Sequence, residues 1–278
     1  MPLYLVGGGL APGYQTEILI KLLNIGDKIY VETYTVPSAD WLLEFVSKHA
    51  SGEVVAANRS VLEDKASILV NEARDKNIVV VVPGDPMIAT THRSLIMLAD
   101  ELGVKYKIVP GVSGVCAAKS ISLLDFYKFG RTVTIPGPWR MVKPYSVLGY
   151  IYDNACIGLH TLVLLDIKPN GEQLLPSDAI RTLLQLEDEL GVNSLSRATG
   201  FVVERAGYDD ERVRIYRELS EIASEGEWRQ PSSIIIPGEI SPIDKEIISK
   251  VYKISELNGI ERDEACSSSK ALKEYLGL

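Results

Sequence analysis

Short apolar runs alternate with helical patterns over the first 110 residues of the chain. Residues 3–6 form a strand candidate that ends in three glycines, and Ile78–Val82 is a continuous β-branched run of the kind buried on both faces of a parallel sheet. Further strand candidates lie at residues 28–33, 53–57 and 105–109. Five strands that alternate with helices predict a doubly wound α/β domain with a mostly parallel sheet.

The segments between these strands carry apolar residues at helical spacing. They predict helices over residues 17–24, 41–50, 60–76 and 91–102. The third helix is expected to begin with Ser60 and Glu63 as a capping box, in which the two side chains accept hydrogen bonds from the first amides of the helix.

The pattern changes after Pro110 and Gly111, where the strands no longer alternate regularly with helices. It predicts strands at residues 131–135, 161–165, 201–205, 213–216 and 233–236, and helices at 113–122, 145–154, 177–190 and 244–257. Ser177 is the expected cap of its helix. We therefore predict an N-terminal α/β domain (1–112), a mixed, partly antiparallel α/β domain (113–260) and a polar tail (261–278) whose helicity the pattern leaves open.

Length and charge narrow the class of protein. At 278 residues the chain is long enough for two domains, and 46% hydrophobic with 24% charged residues is the composition of a globular protein with a sizeable core. The net charge of −8 argues against a protein that binds nucleic acid through its phosphates. Every apolar run is far shorter than the ~20 residues of a membrane span. We expect no direct nucleic-acid or membrane partner.

The cysteines suggest a reducing compartment. Cys116, Cys156 and Cys266 are widely spaced and form no C-x-x-C pair, so they predict no disulfide framework. With three histidines in the chain, the pattern of a Cys/His zinc site is missing as well. No basic leader precedes the first strand. These observations together predict a cytoplasmic, metal-free protein with reduced cysteines.

The glycine loop Gly7-Gly8-Gly9 after the first strand has three interpretations. One is a dinucleotide site with Glu32 as the ribose-binding acid, but the third glycine of that motif would fall on Pro12. Pro12 also predicts that the chain turns before the next helix, away from a pyrophosphate at the helix N-terminus. The others are a tight strand exit that needs glycine for structural reasons, and close backbone approach to another adenosyl ligand.

Four segments form a combined signature. They are LYLVGGGL at residues 3–10, PGDPMIATTH at 83–92, FYKFG at 126–130 and GLHTLVLLDIK at 158–168. Together they resemble the diphthine synthase family, within the tetrapyrrole-methylase-like group, and the resemblance runs from residue 1 to about residue 238. The Gly-Asp-Pro turn is shared across the wider group, whereas the last two segments point to diphthine synthases.

This resemblance implies a function and a fold. It implies an S-adenosylmethionine-dependent N-methyltransferase with two α/β domains, the cofactor in the cleft between them and S-adenosylhomocysteine as product. The implied acceptor is the amino group of a modified histidine on translation elongation factor 2, methylated repeatedly to give diphthine in diphthamide biosynthesis. The resemblance also implies a homodimer.

The family's cofactor contacts carry over to positions in both predicted domains. They are Leu10, Asp85, Ile88, Ser113, Gly114, Leu165, Ala206 and Ser232. A nearby insertion makes Gly114 and Val115 an alternative to Ser113 and Gly114. Three places depart from the family pattern: Ala11-Pro12 stands where Gly-Asp is usual, Gly114 where a bulky apolar residue is frequent, and Ser232 where a histidine is usual.

The chemistry of the implied ligand agrees with these residue types. S-adenosylmethionine carries a sulfonium cation, so its site needs apolar walls, a few polar groups and no adjacent positive charge. Leu10, Ile88, Leu165 and Ala206 are suitable walls. Asp85 follows a buried strand, where its carboxylate can bind the ligand or offset its charge. The alternative is a turn aspartate that binds its own backbone.

No side chain is assigned as catalytic. Methyl transfer needs an unprotonated, aligned amine, and orientation alone can contribute ~7–11 kcal/mol. His92 and His160 are interpreted as core or turn residues. The competing functions are a tetrapyrrole (precorrin-type) methyltransferase and a nucleotide-binding regulatory module without catalysis.

Overall fold

The computed structural model describes residues 2–37, 39–168 and 170–277, and the chain folds as two compact units. The first unit comprises Met1–Ala117 with Pro169–Gly171, and the second comprises Ala118–Lys168 with Glu172–Leu278. Each contains one five-stranded sheet. The predicted fold class of two α/β domains is confirmed. In the described part of the chain, no helix is long and apolar enough to cross a membrane.

The sheet of the first unit is entirely parallel, with strand order β3-β2-β4-β1-β5. Its strands match the five predicted ones to within a residue or so: β1 (Leu3–Gly7), β2 (Lys28–Glu32), β3 (Glu53–Ala57), β4 (Ile78–Val82) and β5 (Tyr106–Val109). Every side chain of β4 is buried, which agrees with its continuous apolar sequence. All five carboxyl ends therefore lie at one edge of the sheet.

Four helices cover the two faces of this sheet, α1 (Glu17–Ile25), α2 (Asp40–His49), α3 (Ala66–Glu72) and α4 (Arg93–Glu101), and α5 (Gly114–Ile121) follows β5. Because side chains alternate along a strand, Val80 joins the core layer that includes α3 and α4, and Val79 joins the layer that includes α1 and α2.

The predicted capping box at Ser60 is wrong. Ser60–Asp64 forms a π-helical turn before α3, and the amide of Val61 donates to the side chain of Asn58 at 3.1 Å. Glu63 does not turn back to the start of the helix. Its carboxylate instead accepts a hydrogen bond from the hydroxyl of Thr91 at 2.9 Å, a tertiary contact that the local pattern does not contain.

The sheet of the second unit is mixed, as predicted. Its strands are β6 (Val133–Ile135), β7 (Thr161–Leu165), β8 (Gly200–Glu204), β9 (Arg212–Tyr216) and β10 (Ser232–Ile236), in the order β6-β7-β10-β8-β9. β6 and β7 are parallel, and the other neighbours are antiparallel. Antiparallel pairing brings the end of one strand beside the beginning of its neighbour.

The helices of the second unit are α6 (Tyr145–Cys156), α7 (Pro176–Leu190), α8 (Leu219–Ser224), α9 (Pro242–Tyr252) and α10 (Arg262–Tyr275). The helix α8 was not predicted. Ser177 lies inside α7 and does not cap it; its hydroxyl accepts a hydrogen bond from the indole N–H of Trp228 at 3.1 Å. Pro176 begins α7, a position that requires no N–H donor.

The C-terminal segment folds into α10, which packs on α6. Its polar residues have partners there: the hydroxyl of Ser269 donates to Asp153 at 2.6 Å. This packing brings Cys266 against Cys156, with 4.8 Å between their Cα atoms, and the two form a disulfide. The expectation of three reduced cysteines is wrong because 110 residues separate this pair in the sequence and only the tertiary fold joins them. Cys116 is a free, exposed thiol.

Reduction or loss of this disulfide should destabilise the protein. Cys266→Ser is expected to lower the free energy of unfolding by about 2–5 kcal/mol, since the cross-link restricts a long loop of the unfolded chain. Urea unfolding with and without dithiothreitol measures it, and the reductant should act on the wild type and leave Cys266→Ser unchanged. Cys116→Ser is the matched control and should behave as the wild type. Labelling of three thiols in unreduced, unfolded protein would contradict the disulfide.

His160 is fully buried at the start of β7, and neither ring nitrogen has a hydrogen-bond partner. Its backbone holds it in place, with its N–H donating to the carbonyl of Lys128 at 2.7 Å, and its ring meets the edge of Phe129. Burial, together with the charge of Lys128, lowers the pKa of His160 to about 4 even though Asp244 and Asp125 act to raise it. The side chain is therefore a neutral core residue, as the sequence suggested.

This lowered pKa should make stability depend on pH. In the unfolded chain this histidine is protonated below pH ~6.5, whereas in the folded protein His160 is protonated only below about pH 4. The free energy of unfolding should therefore fall by about 3 kcal/mol as the pH drops from ~6.5 to about 4. His160→Phe should remove this part of the pH dependence in urea titrations, whereas His49→Phe should retain it. An NMR titration midpoint of the folded His160 ring near 6.5 would refute the prediction.

Candidate functional site

The loops after β1 and β4 are joined by backbone hydrogen bonds at the carboxyl edge of the first sheet. The amide of Gly8 donates to the carbonyl of Val82 at 2.7 Å, and the amide of Gly84 donates to the carbonyl of Gly9 at 2.9 Å. Open α/β sheets bind their ligands beyond this edge. The predicted cofactor residues of the first unit are therefore expected along this edge.

Glycine is required here by the protein's own packing. A Cβ on Gly7 would lie 2.5 Å from the Cα of Gly111, and one on Gly111 would lie 2.2 Å from the carbonyl oxygen of Gly84. A Cβ on Gly8 would lie 2.7 Å from the side chain of Leu42, and Gly9 has a φ of +88°. These contacts support the structural interpretation of the triple glycine.

The dinucleotide interpretation does not fit this loop. Residues 11–14 form a turn in which the amide of Tyr14 donates to the carbonyl of Ala11, and α1 begins only after Thr16, whose side chain caps it. Glu32 is buried, and its carboxylate accepts hydrogen bonds from the amides of Tyr34 and Thr35 and from the hydroxyl of Thr35. Burial raises the pKa of Glu32, and these bonds oppose the rise. The side chain is occupied and does not project toward a ribose.

Asp85 binds two segments of backbone. One carboxylate oxygen accepts a hydrogen bond from the amide of Met87 at 2.8 Å, and the other accepts one from the amide of Gly111 at 3.1 Å. Its side chain thus ties the turn after β4 to the loop after β5. Because each carboxylate oxygen has a second acceptor position, these bonds leave room for a ligand. The turn-aspartate interpretation is correct as a description of its backbone contacts.

Several of the predicted cofactor residues of the first unit lie close to one another beside this tie. A Cβ built on Gly114 would lie 3.5 Å from Cδ1 of Leu10, and one built on Gly84 would lie 4.0 Å from the Cα of Ser113. Gly114 begins α5, and the hydroxyl of Ser113 accepts a hydrogen bond from the amide of Val115 at 3.2 Å. Ile88 is exposed in the turn after Asp85. The fold therefore brings three sequence-distant loops to one surface.

In the second unit, strand register likewise brings predicted site residues together. Ser232 pairs with Glu204 across β10 and β8, and Ser233 pairs with Leu164 across β10 and β7. Leu165 is the last residue of β7, Ala206 lies just after the end of β8, and Ser232 begins β10, which lies between these two strands. The three predicted residues of this unit consequently share one end of the sheet.

Gln173 is a site residue that the sequence did not indicate. It is buried, and its amide side chain donates to the carbonyl of Ser232 at 3.0 Å while accepting from the amide of Ser232 at 2.9 Å and from its hydroxyl at 3.2 Å. The side chain of Ser232 is therefore used within the protein. A glutamine in the loop after β7 carries no local signal, because its partner lies 59 residues further along the chain.

Asp166, next to Leu165, is held in a bidentate ion pair with Arg140, with Nε to Oδ2 at 2.8 Å and Nη2 to Oδ1 at 3.0 Å. Burial acts to raise the pKa of Asp166, but the Arg140 guanidinium and the amide of Gly137 outweigh it and hold that pKa below its usual value. The arginine beside this end of the sheet is thereby neutralised within the protein.

Comparison with known proteins assigns the family. Residues 2–222 match the family model described as Tetrapyrrole (Corrin/Porphyrin) Methylases. The chain is 41% identical to the diphthine synthase of Aeropyrum pernix over 254 residues, covering 89% of this chain and 86% of that protein. It is 37% identical to the diphthine synthase of Pyrobaculum islandicum over 257 residues, covering 90% and 99%. The chain belongs to the diphthine synthase family.

Solved structures agree with this assignment. A crystal structure of a conserved hypothetical protein from Aeropyrum pernix K1 has a TM-score of 0.89 and 37% identity, covering 100% of this chain and 98% of that one. A crystal structure of diphthine synthase has a TM-score of 0.76 and 25% identity, covering 95% and 98%. As a member of this methylase family, the chain is a methyltransferase of diphthamide biosynthesis. The resemblance stated from the sequence is confirmed.

In this diphthine synthase family member, the loops after β1, β4 and β5 contain a single acidic side chain and no lysine or arginine. Residues 8–16, 83–92 and 110–118 include Asp85 and no lysine or arginine. His92 is buried, and burial lowers its pKa to about 4, so that it is neutral at pH 7. Among the described residues, no group of three or more His, Cys, Asp and Glu side chains is arranged to hold a metal ion.

Substitution of Asp85 should test its structural role. Asp85→Asn replaces one acceptor oxygen by an NH₂ group that meets a backbone amide, and should lower the free energy of unfolding by about 1–3 kcal/mol. Urea unfolding monitored by circular dichroism measures this loss. Asp64→Asn, at an exposed position, is the matched control and should change stability little. Equal stability of both variants would show that the two backbone ties are dispensable.

Proposed function

We propose that this chain transfers methyl groups from S-adenosylmethionine to the amino group of the modified histidine of translation elongation factor 2, giving diphthine. The observation that carries the proposal is the match to diphthine synthases over about nine-tenths of the chain. The charge of the first-unit loops supports the choice of cofactor. The loops after β1, β4 and β5, with one carboxylate and no lysine or arginine, suit a sulfonium and are a poor site for a pyrophosphate.

The proposed cofactor contacts are the eight residues carried over from the family pattern. They are Leu10, Asp85, Ile88, Ser113, Gly114, Leu165, Ala206 and Ser232. Bound S-adenosylmethionine would supply an electrophilic methyl group on a positively charged sulfur. Leu10, Ile88, Leu165 and Ala206 would provide apolar contact, and Asp85 would offset the charge through the acceptor positions that its backbone bonds leave free. Ser232 would contribute van der Waals contact, since Gln173 already binds its hydroxyl, its amide and its carbonyl.

In this proposal the protein acts by binding and orienting. The acceptor amine must be unprotonated and in line with the methyl group, and the thioether that leaves requires no acid. Orientation of two bound reactants can contribute ~7–11 kcal/mol to the barrier reduction, so no side chain needs to act as a general base. We further propose that the chain works as a homodimer, as the family resemblance implies, and that it works in the cytoplasm, as its sequence predicts.

Reconstitution tests the proposal directly. Purified protein with S-adenosylmethionine and elongation factor 2 bearing the unmethylated modified histidine should add up to three methyl groups, each visible by mass spectrometry of the intact acceptor and its peptides. Elongation factor 2 without the histidine modification is the matched control and should stay unmethylated. No mass increase on the modified acceptor, with S-adenosylmethionine bound, would reject the proposed acceptor.

A tetrapyrrole is the second acceptor to include in this assay, because the matching family model is named for corrin and porphyrin methylases. A precorrin-type substrate should remain unmethylated under conditions in which the modified protein reacts. The opposite result would assign the chain to the tetrapyrrole branch.

A further inference from the structure

A polar cluster beside the turn after β4 plays no part in the function proposed above. It consists of Tyr34, after β2, Glu63, in the π-helical turn, and Thr91 and His92, before α4. The guanidinium of Arg59 lies 5.0 Å from the centre of the Tyr34 ring and 3.7 Å from the Glu63 carboxylate. The cluster thus connects three segments of the first unit that are far apart in sequence.

Glu63 is the centre of this cluster. One oxygen of its carboxylate accepts a hydrogen bond from the hydroxyl of Thr91 at 2.9 Å and lies 3.5 Å from the hydroxyl of Tyr34. The Tyr34 hydroxyl also lies 3.4 Å from Nε2 of His92. Glu63 and Tyr34 therefore contact the two residues that follow the turn.

Thr90 closes the turn from the inside. Its hydroxyl donates to the carbonyl of Pro86 at 3.1 Å and lies 2.9 Å from Nδ1 of His92. Because that hydroxyl proton is used on Pro86, Nδ1 of His92 must carry a proton, and Nε2 is left as the acceptor for Tyr34. The neutral state of buried His92, with its pKa lowered to about 4 by burial, agrees with this tautomer.

The turn itself is not a relaxed conformation. Ala89 has a φ of 56°, in the left-handed region that costs a non-glycine residue roughly 1–2 kcal/mol. Met87 and Ile88, just before it, are each 38% exposed and have little core contact to hold them. Such a conformation persists only where the surroundings fix it. Asp85 fixes one end through the amide of Met87, and the polar cluster fixes the other.

We infer that Tyr34, Glu63 and Thr91 are positioning residues that hold the turn of residues 86–90 in the shape that binds S-adenosylmethionine through Ile88. The inference rests on the proposed function for the identity of the ligand. The inference gives a role to Glu63, the predicted capping-box residue that does not cap its helix, and to Thr91, whose own side chain is exposed.

Variants that lack the hydrogen bond between Thr91 and Glu63 test this role. Thr91→Val and Glu63→Ala should weaken S-adenosylmethionine binding about tenfold in titration calorimetry, since each loses a hydrogen bond to a charged group. The KM for S-adenosylmethionine should rise in proportion, while kcat at saturation and the KM for the protein acceptor change less than about twofold. Thr91→Ser retains the hydroxyl and should restore wild-type affinity.

Tyr30→Phe is the matched control for stability. Tyr30 lies on β2, which ends before Tyr34, and donates its hydroxyl to another glutamate, Glu72, at 3.0 Å, away from the turn. Tyr30→Phe and Tyr34→Phe each remove one tyrosine–glutamate contact from the same core. Only Tyr34→Phe should lower the affinity for S-adenosylmethionine.

Hydrogen exchange separates this inference from the proposed function. The amides of residues 87–92 should exchange faster in Thr91→Val and Glu63→Ala than in the wild type and Tyr30→Phe, with or without ligand. Unchanged exchange, or faster exchange with unchanged ligand affinity, would overturn the positioning role. Absence of binding by the wild type would reject the proposed cofactor and this role toward it, and the exchange data would still report whether the cluster holds the turn.

Discussion

The close approach of three backbone segments, at Gly7, Gly84 and Gly111, is the constraint on which the candidate site of the first unit depends. A single added carbon at Gly111 would lie 2.2 Å from the carbonyl oxygen of Gly84, so the loops after β1, β4 and β5 can meet only without side chains. This contact allows Asp85 to reach the amide of Gly111 and places Leu10 beside Gly114. The three loops therefore meet mainly through their backbone, and Asp85 is the one carboxylate in them.

That constraint changes the meaning of the glycine-rich motif. Glycines after a first β-strand commonly indicate a phosphate-binding loop, in which the backbone approaches a ligand. Here neighbouring backbone and the side chain of Leu42 occupy the space beside the glycines, and α1 begins after an additional turn. The class of ligand then depends on the charge of the loops and not on the glycines. Asp85, without a lysine or arginine in these loops, favours a cation.

In the second unit, antiparallel pairing has the equivalent effect. It sets the carboxyl ends of β7 and β8 beside the first residue of β10, so that Leu165, Ala206 and Ser232 come together although 67 residues separate the first from the last. Gln173 then locks the beginning of β10 through both backbone groups of Ser232. The disulfide between α6 and α10 ties the C-terminal helix to the same unit.

The β-strands, most of the helices and the family could be predicted from the amino-acid sequence. These depend on period-two and helical spacing within short windows and on motifs such as Gly-Asp-Pro, which are local properties. The partners of several side chains become known only from the folded chain: Glu63 with Thr91, Gln173 with Ser232, and Cys156 with Cys266. Each pair joins residues 28 or more positions apart. The sequence around such a side chain shows only its local options, such as capping a helix, whereas packing brings a partner from a distant segment into contact with it.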